Sequence, residues 1–328
     1  MRLLSLSKNA RIAACLVKNR VAGEGIYPFY ASFKVTSRCR FNCEFCNIKE
    51  ERNRLDLPMH TVKKILDTLS DSSVALVSFE GGEPLLRNDI AELLSYARSK
   101  QFYLLFTTSE HALEKYPMRE YARYIDFLHI SIDEGHNNLR MFERLAEFQS
   151  YGSQLAVQVV VTRDTLPALA EKAAQCHRHG ASMVIMPAVH MNRTGDFFPD
   201  MDAFTAEIRR LKKLYPALIL TPDGYGAAVR NSACSSESII IDSDGRLFYP
   251  CHIRETKGPD LSVIPLMTYL TSPEAVAARR DMRACRKQCG WFQYFSIRDY
   301  TSVTSAAAAL WPAISKALTR LRRTSSNK

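Results

Sequence analysis

A chain of 328 residues with 46% hydrophobic and 24% charged side chains has an ordinary globular composition, which excludes a disordered polymer and a single small domain. The net charge of +10 sits at two ends that hold no acid: Arg2, Lys8, Arg11, Lys18 and Arg20 in residues 1–20, and Lys316, Arg320, Arg322, Arg323 and Lys328 in residues 316–328. Without these ten, 34 basic side chains face 34 acidic ones, so no nucleic-acid partner is expected, and the basic ends point to an anionic surface such as a membrane face.

Near the N-terminus, the apolar run at 12–17 is interrupted by Lys18 and followed by no small-residue cleavage site, so neither a bilayer span nor a secretory signal is expected. The expected location is cytoplasmic, peripheral at the cytoplasmic membrane face through the basic ends. In a reducing compartment nine cysteines point to metal or catalytic roles rather than disulfides.

From residue 30 to 215, short apolar runs alternate with segments of helical period, the pattern of repeated βα units. The spacing predicts strands at 31–36, 75–79, 102–107, 127–132, 155–162 and 183–186, with helices near 59–70, 88–100, 112–123, 138–151, 165–179 and 201–214. Right-handed crossovers wrap such a series into an α/β fold, a partial (β/α)6 TIM-like barrel whose functional loops gather at the carboxyl ends of the strands. After Pro216 the pattern changes to a hairpin at 239–249 and scattered cysteines, which reads as a small metal-stabilised domain. The expected division is a basic N-terminal segment (1–29), the barrel (30–215), the cysteine domain (216–300) and a basic amphipathic helix (301–328).

Directly after the first strand comes Ser37-Arg38-Cys39-Arg40-Phe41-Asn42-Cys43-Glu44-Phe45-Cys46. Three thiolates can hold three irons of a [4Fe–4S] cluster and leave the fourth open to a cofactor that chelates it. A structural zinc site needs four closed ligands, and the only nearby histidine is His60. The second strand runs into Phe79-Glu80-Gly81-Gly82-Glu83-Pro84, where two glycines permit a sharp turn and a close backbone approach to a ligand. The fourth ends in Ser131-Ile132-Asp133, whose polar side chains share one face of a strand by period-two alternation.

CxxxCxxC with an aromatic before its last cysteine, followed by a GGEP segment at the second strand, resembles the radical S-adenosylmethionine (SAM) superfamily. The resemblance spans roughly residues 30–290. It implies that Cys39, Cys43 and Cys46 hold a catalytic [4Fe–4S] cluster and that Phe45 lies against the adenine of SAM. It further implies that Gly81, Gly82 and Glu83 receive the SAM amine while Ser131 and Asp133 approach the ribose. A reductase, flavodoxin or ferredoxin is the implied electron donor. On the third strand Thr107-Thr108-Ser109 stands where the family often has Thr-Asn-Gly.

Further on, Cys234, Cys251, Cys285 and Cys289 form a second set that one [4Fe–4S] cluster or one tetrahedral zinc would close. With Asp242-Ser243-Asp244-Gly245 leading to Tyr249-Pro250-Cys251, this set resembles a shortened SPASM or twitch domain, which implies one auxiliary [4Fe–4S] cluster. Cys15 and Cys176 read as buried small hydrophobes. The C-terminal stripe of Leu310, Ile314, Ala317, Leu318 and Leu321, opposite Lys316, Arg320 and Arg323, has the pattern of an interfacial helix. The leader through Tyr27-Pro28-Phe29-Tyr30 also looks like the start of radical SAM enzymes acting on hopanoid or other isoprenoid lipids.

The expectation is therefore an enzyme that cleaves SAM reductively to a 5′-deoxyadenosyl radical and modifies an unactivated carbon, in a membrane lipid or isoprenoid by the first reading. A radical SAM/SPASM maturase acting on a peptide is the second reading. A metal-binding interaction protein is the non-enzymatic one.

Overall fold

The computed structural model describes residues 5–50, 54–189, 197–222, 234–254, 256–286 and 291. Six parallel strands, β1 (Tyr30–Thr36), β2 (Leu76–Gly81), β3 (Tyr103–Thr108), β4 (Phe127–Ser131), β5 (Gln154–Val161) and β6 (Ser182–Pro187), lie side by side in chain order. Their crossovers carry α2 (Met59–Ser70), α3 (Ile90–Arg98), α4 (Met118–Tyr121), α5 (Leu145–Gln149) and α6 (Leu169–His179), preceded by α1 (Leu6–Ala22) and followed by α7 (Met201–Leu214). This is the partial (β/α)6 barrel expected from the alternation.

Two of the expected helices are much shorter. Pro117 interrupts 112–123, leaving a single turn of 3-10 helix and the four-residue α4, and 138–151 opens as a 3-10 stretch over Leu139–Arg144 before α5. After α7 the chain returns beside β6, where Met183 donates to the Leu218 carbonyl at 2.9 Å and Leu220 to the Met183 carbonyl at 2.8 Å.

Alternation along each strand sorts the sheet into two faces. Phe33, Phe79, Phe106 and Leu128 face one another in register beneath the helices and belong to one apolar core. The inner face instead carries Lys34 beside Glu80, Thr107 beside His129, and Ser131 beside Gln158. The sheet does not stop at β1. On its other side β7 (Ser238–Ile241) runs parallel to β1, and β8 (Arg246–Phe248) and β9 (Lys257–Asp260) continue antiparallel. Ile239, Ile241 and Leu247 therefore join the main core, while Ile240 and Phe248 on the other face make a small cluster with Met282 of α9 (Pro273–Arg283), which follows α8 (Leu266–Leu270).

The basic helix α1, capped by Ser5 and ended by Gly23 at φ 73°, docks across the amino ends of the strands. Arg11 Nη2 donates to the carbonyls of Ser70, Ser72 and Val74 at 3.2, 2.9 and 3.1 Å, and Lys8 Nζ to that of Phe102 at 2.6 Å. Lys18 sits over the Tyr27 ring. Three of the N-terminal cations thus face protein. No helix among the described residues is long and apolar enough to cross a membrane, and the expected helix at 301–328 lies outside them.

Candidate active site

At the carboxyl end of the strands, Cys39, Cys43 and Cys46 line one cavity of about 160 Å³ together with Phe45, Ser131 and His136. The loop that carries the cysteines is fastened from several sides. Arg38 bonds Asp56 and the Leu86 carbonyl, and the buried Arg87 reaches the Val35 and Leu57 carbonyls at 2.7 and 3.0 Å. Gly81 at φ 135° and Gly82 press β2's end against it: a Cβ at these positions would stand 2.2 Å from the Thr36 oxygen and 2.0 Å from the Arg38 oxygen.

Gly81 and Gly82 line the cavity, and the amide N–H groups of Gly82 and Glu83 donate to the Thr36 and Arg38 carbonyls at 2.9 and 2.7 Å. Carbonyl oxygens are the acceptors this turn can offer an ammonium. The Glu83 carboxylate is fully buried and accepts from Leu85 N–H, Thr108 Oγ1 and Ser109 N–H at 3.1, 2.8 and 2.8 Å. Burial raises its pKa to about 7 against the pull of these donors. Glu83 braces β3's end and is absent from the cavity lining.

Asp133, expected near the ribose of SAM, is likewise held by neighbouring donors. The strand ends at Ser131, so alternation no longer aims Asp133; its carboxylate is fully buried and accepts from Val160 N–H at 3.2 Å, His136 N–H at 3.1 Å and His136 Nδ1 at 2.7 Å. Ser131 lines the cavity, as do Thr107 and Ser109 of the divergent third-strand segment. Asn138 ties these ends together, donating to the Ser131 carbonyl at 2.7 Å and accepting from Asp133 N–H at 3.0 Å.

Sequence reasoning missed His136, Glu80 and Gln158, all in the lining. Burial opposes the charge of His136, yet Asp133 and the Cys43 side chain raise its pKa to about 10. Burial lifts Glu80 to about 7, with Lys34 pulling the other way. Only the period-two register with Lys34 and Ser78 marked Glu80 as inward-facing. Phe45 packs on Gly135, where a Cβ would come within 2.3 Å of its ring.

Three thiols of one loop, lining one cavity, suit a cluster that leaves one iron open, whereas a structural zinc site needs four closed ligands. Burial, helped by the neighbouring Cys46, Glu83 and Cys43, pushes the metal-free Cys39 thiol up to about 11. A single zinc would need its sulfurs ~2.3 Å from one point; a four-iron cluster takes each thiolate on a separate iron.

In the second set, Cys234 and Cys251 pack with Trp291 against Ile240, Phe248 and Met282. Cys285 follows α9, and Cys289 lies outside the described residues. His252, beside Cys251, sets its ring 4.2 Å from that of Phe248 and its Nε2 3.3 Å from Lys34 Nζ; burial and Lys34 lower its pKa to about 3. Lys34 thus links the barrel's inner face to the hairpin through His252 and the Phe248 ring.

Residues 33–156 match the family described as the Radical SAM superfamily. Over that segment the chain carries a radical SAM domain. Its cofactors are a [4Fe–4S] cluster and SAM. A PqqA peptide cyclase of Granulibacter bethesdensis is 26% identical over 332 residues, 85% of this chain and 87% of that protein. The mycofactocin maturase MftC of Mycolicibacterium smegmatis is 28% identical over 211 residues, 60% of this chain and about half (53%) of that protein. Among solved radical SAM structures, Streptococcus suis SuiB bound to precursor peptide SuiA superposes with a TM-score of 0.66 at 17% identity, over 89% of this chain and 76% of that one. Native anSMEcpe with bound AdoMet and the Cp18Cys peptide gives 0.63 at 14% identity, over 90% and 99%. These two share the fold.

Proposed function

We propose that this radical SAM enzyme modifies a peptide, with Cys39, Cys43 and Cys46 as the ligands of its catalytic cluster and Cys234, Cys251, Cys285 and Cys289 as those of an auxiliary one. The observation that carries the reading is similarity over most of both chains, 85% of this one and 87% of the other, to a relative named PqqA peptide cyclase. The polar inner face, with Lys34, Glu80, His129 and Gln158, suits a substrate rich in hydrogen-bonding groups better than an isoprenoid. The docking of α1 on the barrel removes one of the two basic ends from the argument for a lipid surface.

When bound, the cluster held by Cys39, Cys43 and Cys46 would supply SAM with an electron for reductive cleavage, drawn from a reduced flavodoxin or ferredoxin. This chain's own residues do the rest. Gly81 and Gly82 let the second loop close on the cysteines, and the buried carboxylates of Glu83 and Asp133 hold the loop ends in place. Ser131 and Gln158 offer hydrogen-bonding side chains to whatever occupies the cavity.

Anaerobically reconstituted protein is given SAM, a reductant and short peptides encoded beside its gene. SAM-dependent 5′-deoxyadenosine and a mass change in one peptide are expected, both lost in Cys43→Ala. Modification of an extracted isoprenoid and of no peptide would refute the substrate class. Absence of 5′-deoxyadenosine would refute the chemistry.

A further inference from the structure

His136 stands where the cysteine loop, β4's end and the cavity meet. Its ring centroid lies 5.3 Å from that of Phe41 and 6.0 Å from that of Phe45, the aromatics that flank Cys43 in sequence, and it interacts with the Cys43 side chain. The ring is held from behind: the fully buried Asp133 accepts its Nδ1–H and its backbone N–H, while Val160 N–H and the Asn138 side chain pin Asp133. With Nδ1 facing a carboxylate, Nε2 is the nitrogen left for the sulfur. A cysteine that ligates iron has no proton to give, so a hydrogen bond between the two must run from N–H to sulfur.

Hydrogen bonds to cluster sulfurs stabilise the reduced, more negative state, and among buried groups this interaction is less screened than in water. We propose that His136, oriented by Asp133, is a positioning residue for the electron: it raises the reduction potential of the cluster on Cys39, Cys43 and Cys46, so that a one-electron donor converts [4Fe–4S]2+ to [4Fe–4S]+ more readily. No atom is transferred. The histidine offers a fixed N–H, and the electron comes from the external donor. The inference rests on the radical SAM assignment and is independent of the substrate class.

The test is a potentiometric titration of full-length reconstituted protein followed by electron paramagnetic resonance, the signal that changes on adding SAM being assigned to this cluster. His136→Leu is expected to keep its iron and shift the midpoint to more negative potential, by about a tenfold drop in the reduced-to-oxidised ratio at fixed poise, or ~59 mV for one electron. His136→Gln, which retains an N–H donor, should fall between His136→Leu and wild type. An unchanged midpoint in an iron-replete His136→Leu would overturn the proposal. Loss of iron from both variants would overturn it too, leaving His136 as a support of the loop. A wild-type protein with no SAM-responsive signal would instead bring down the radical SAM assignment itself.

Discussion

A methyl group at Gly82 would sit 2.0 Å from the backbone oxygen of Arg38, an atom that cannot swing aside as a flexible side chain can. Gly82→Ala is therefore expected to lift the cysteine loop away from β2. It should cost roughly 1–3 kcal/mol of stability, as overpacking of a tight contact does, and lower the iron bound after reconstitution. Iron analysis and denaturant titration on the same preparation check both. Gly135→Ala meets a ring instead of backbone, since its Cβ would fall 2.3 Å from Phe45 Cε1. Phe45 can rotate, so iron loading should survive while SAM affinity, read by equilibrium binding, falls. At this scale the cysteine spacing and the Gly-Gly turn were legible because their constraints are local. Glu83 and Asp133 were not: each carboxylate accepts from donors on another strand or beyond the strand's end, and alternation says nothing about those. His136 stood in a recognised segment, yet its place against Cys43 depends on the 3-10 turn that follows Asp133.

Helix α1 and the inner face of the sheet make separate predictions. Arg11 holds three carbonyls at the start of β2 from a distant part of the chain, and charged hydrogen bonds contribute about 1.5–3 kcal/mol each when a buried partner is left unpaired by truncation. These three share one nitrogen, so Arg11→Ala is expected to destabilise the fold by roughly 1–3 kcal/mol, measured by urea denaturation, with little effect on the iron site at the opposite end of the barrel. On the inner face, burial lowers the His129 pKa from 6.5 to about 4. The unfolded chain then binds this proton more tightly than the folded one, so the stability associated with neutral His129 is present above pH 6.5 and is lost as pH falls toward 4. His129→Gln should flatten that limb of the melting-temperature profile; an unchanged acid limb would show that other groups set it. Strand positions were readable because each strand alternates between an apolar core face and a polar one. The helices at 112–123 and 138–151 were overestimated because an apolar period persists where Pro117 and the Asn138 bridge prevent a continuous α-helix.

For the whole molecule, two cluster sites imply about eight irons per chain, and about four in Cys251→Ser if the auxiliary site is lost alone; iron analysis of both proteins decides it. The hairpin read as part of a separate unit after 216 is continuous with the barrel sheet through the pairing of β7 with β1, a long-range contact that no local pattern announces. That pairing has a consequence in time. During synthesis β1 leaves the ribosome well before β7, and one of its edges has no partner until Ser238–Ile241 has been made. Such an unpaired edge is a template for association with other chains, and the contact that closes it joins distant parts of the sequence, which slows folding. A nascent chain stalled before β7 should therefore be the species that chaperones capture and that aggregates when they are scarce.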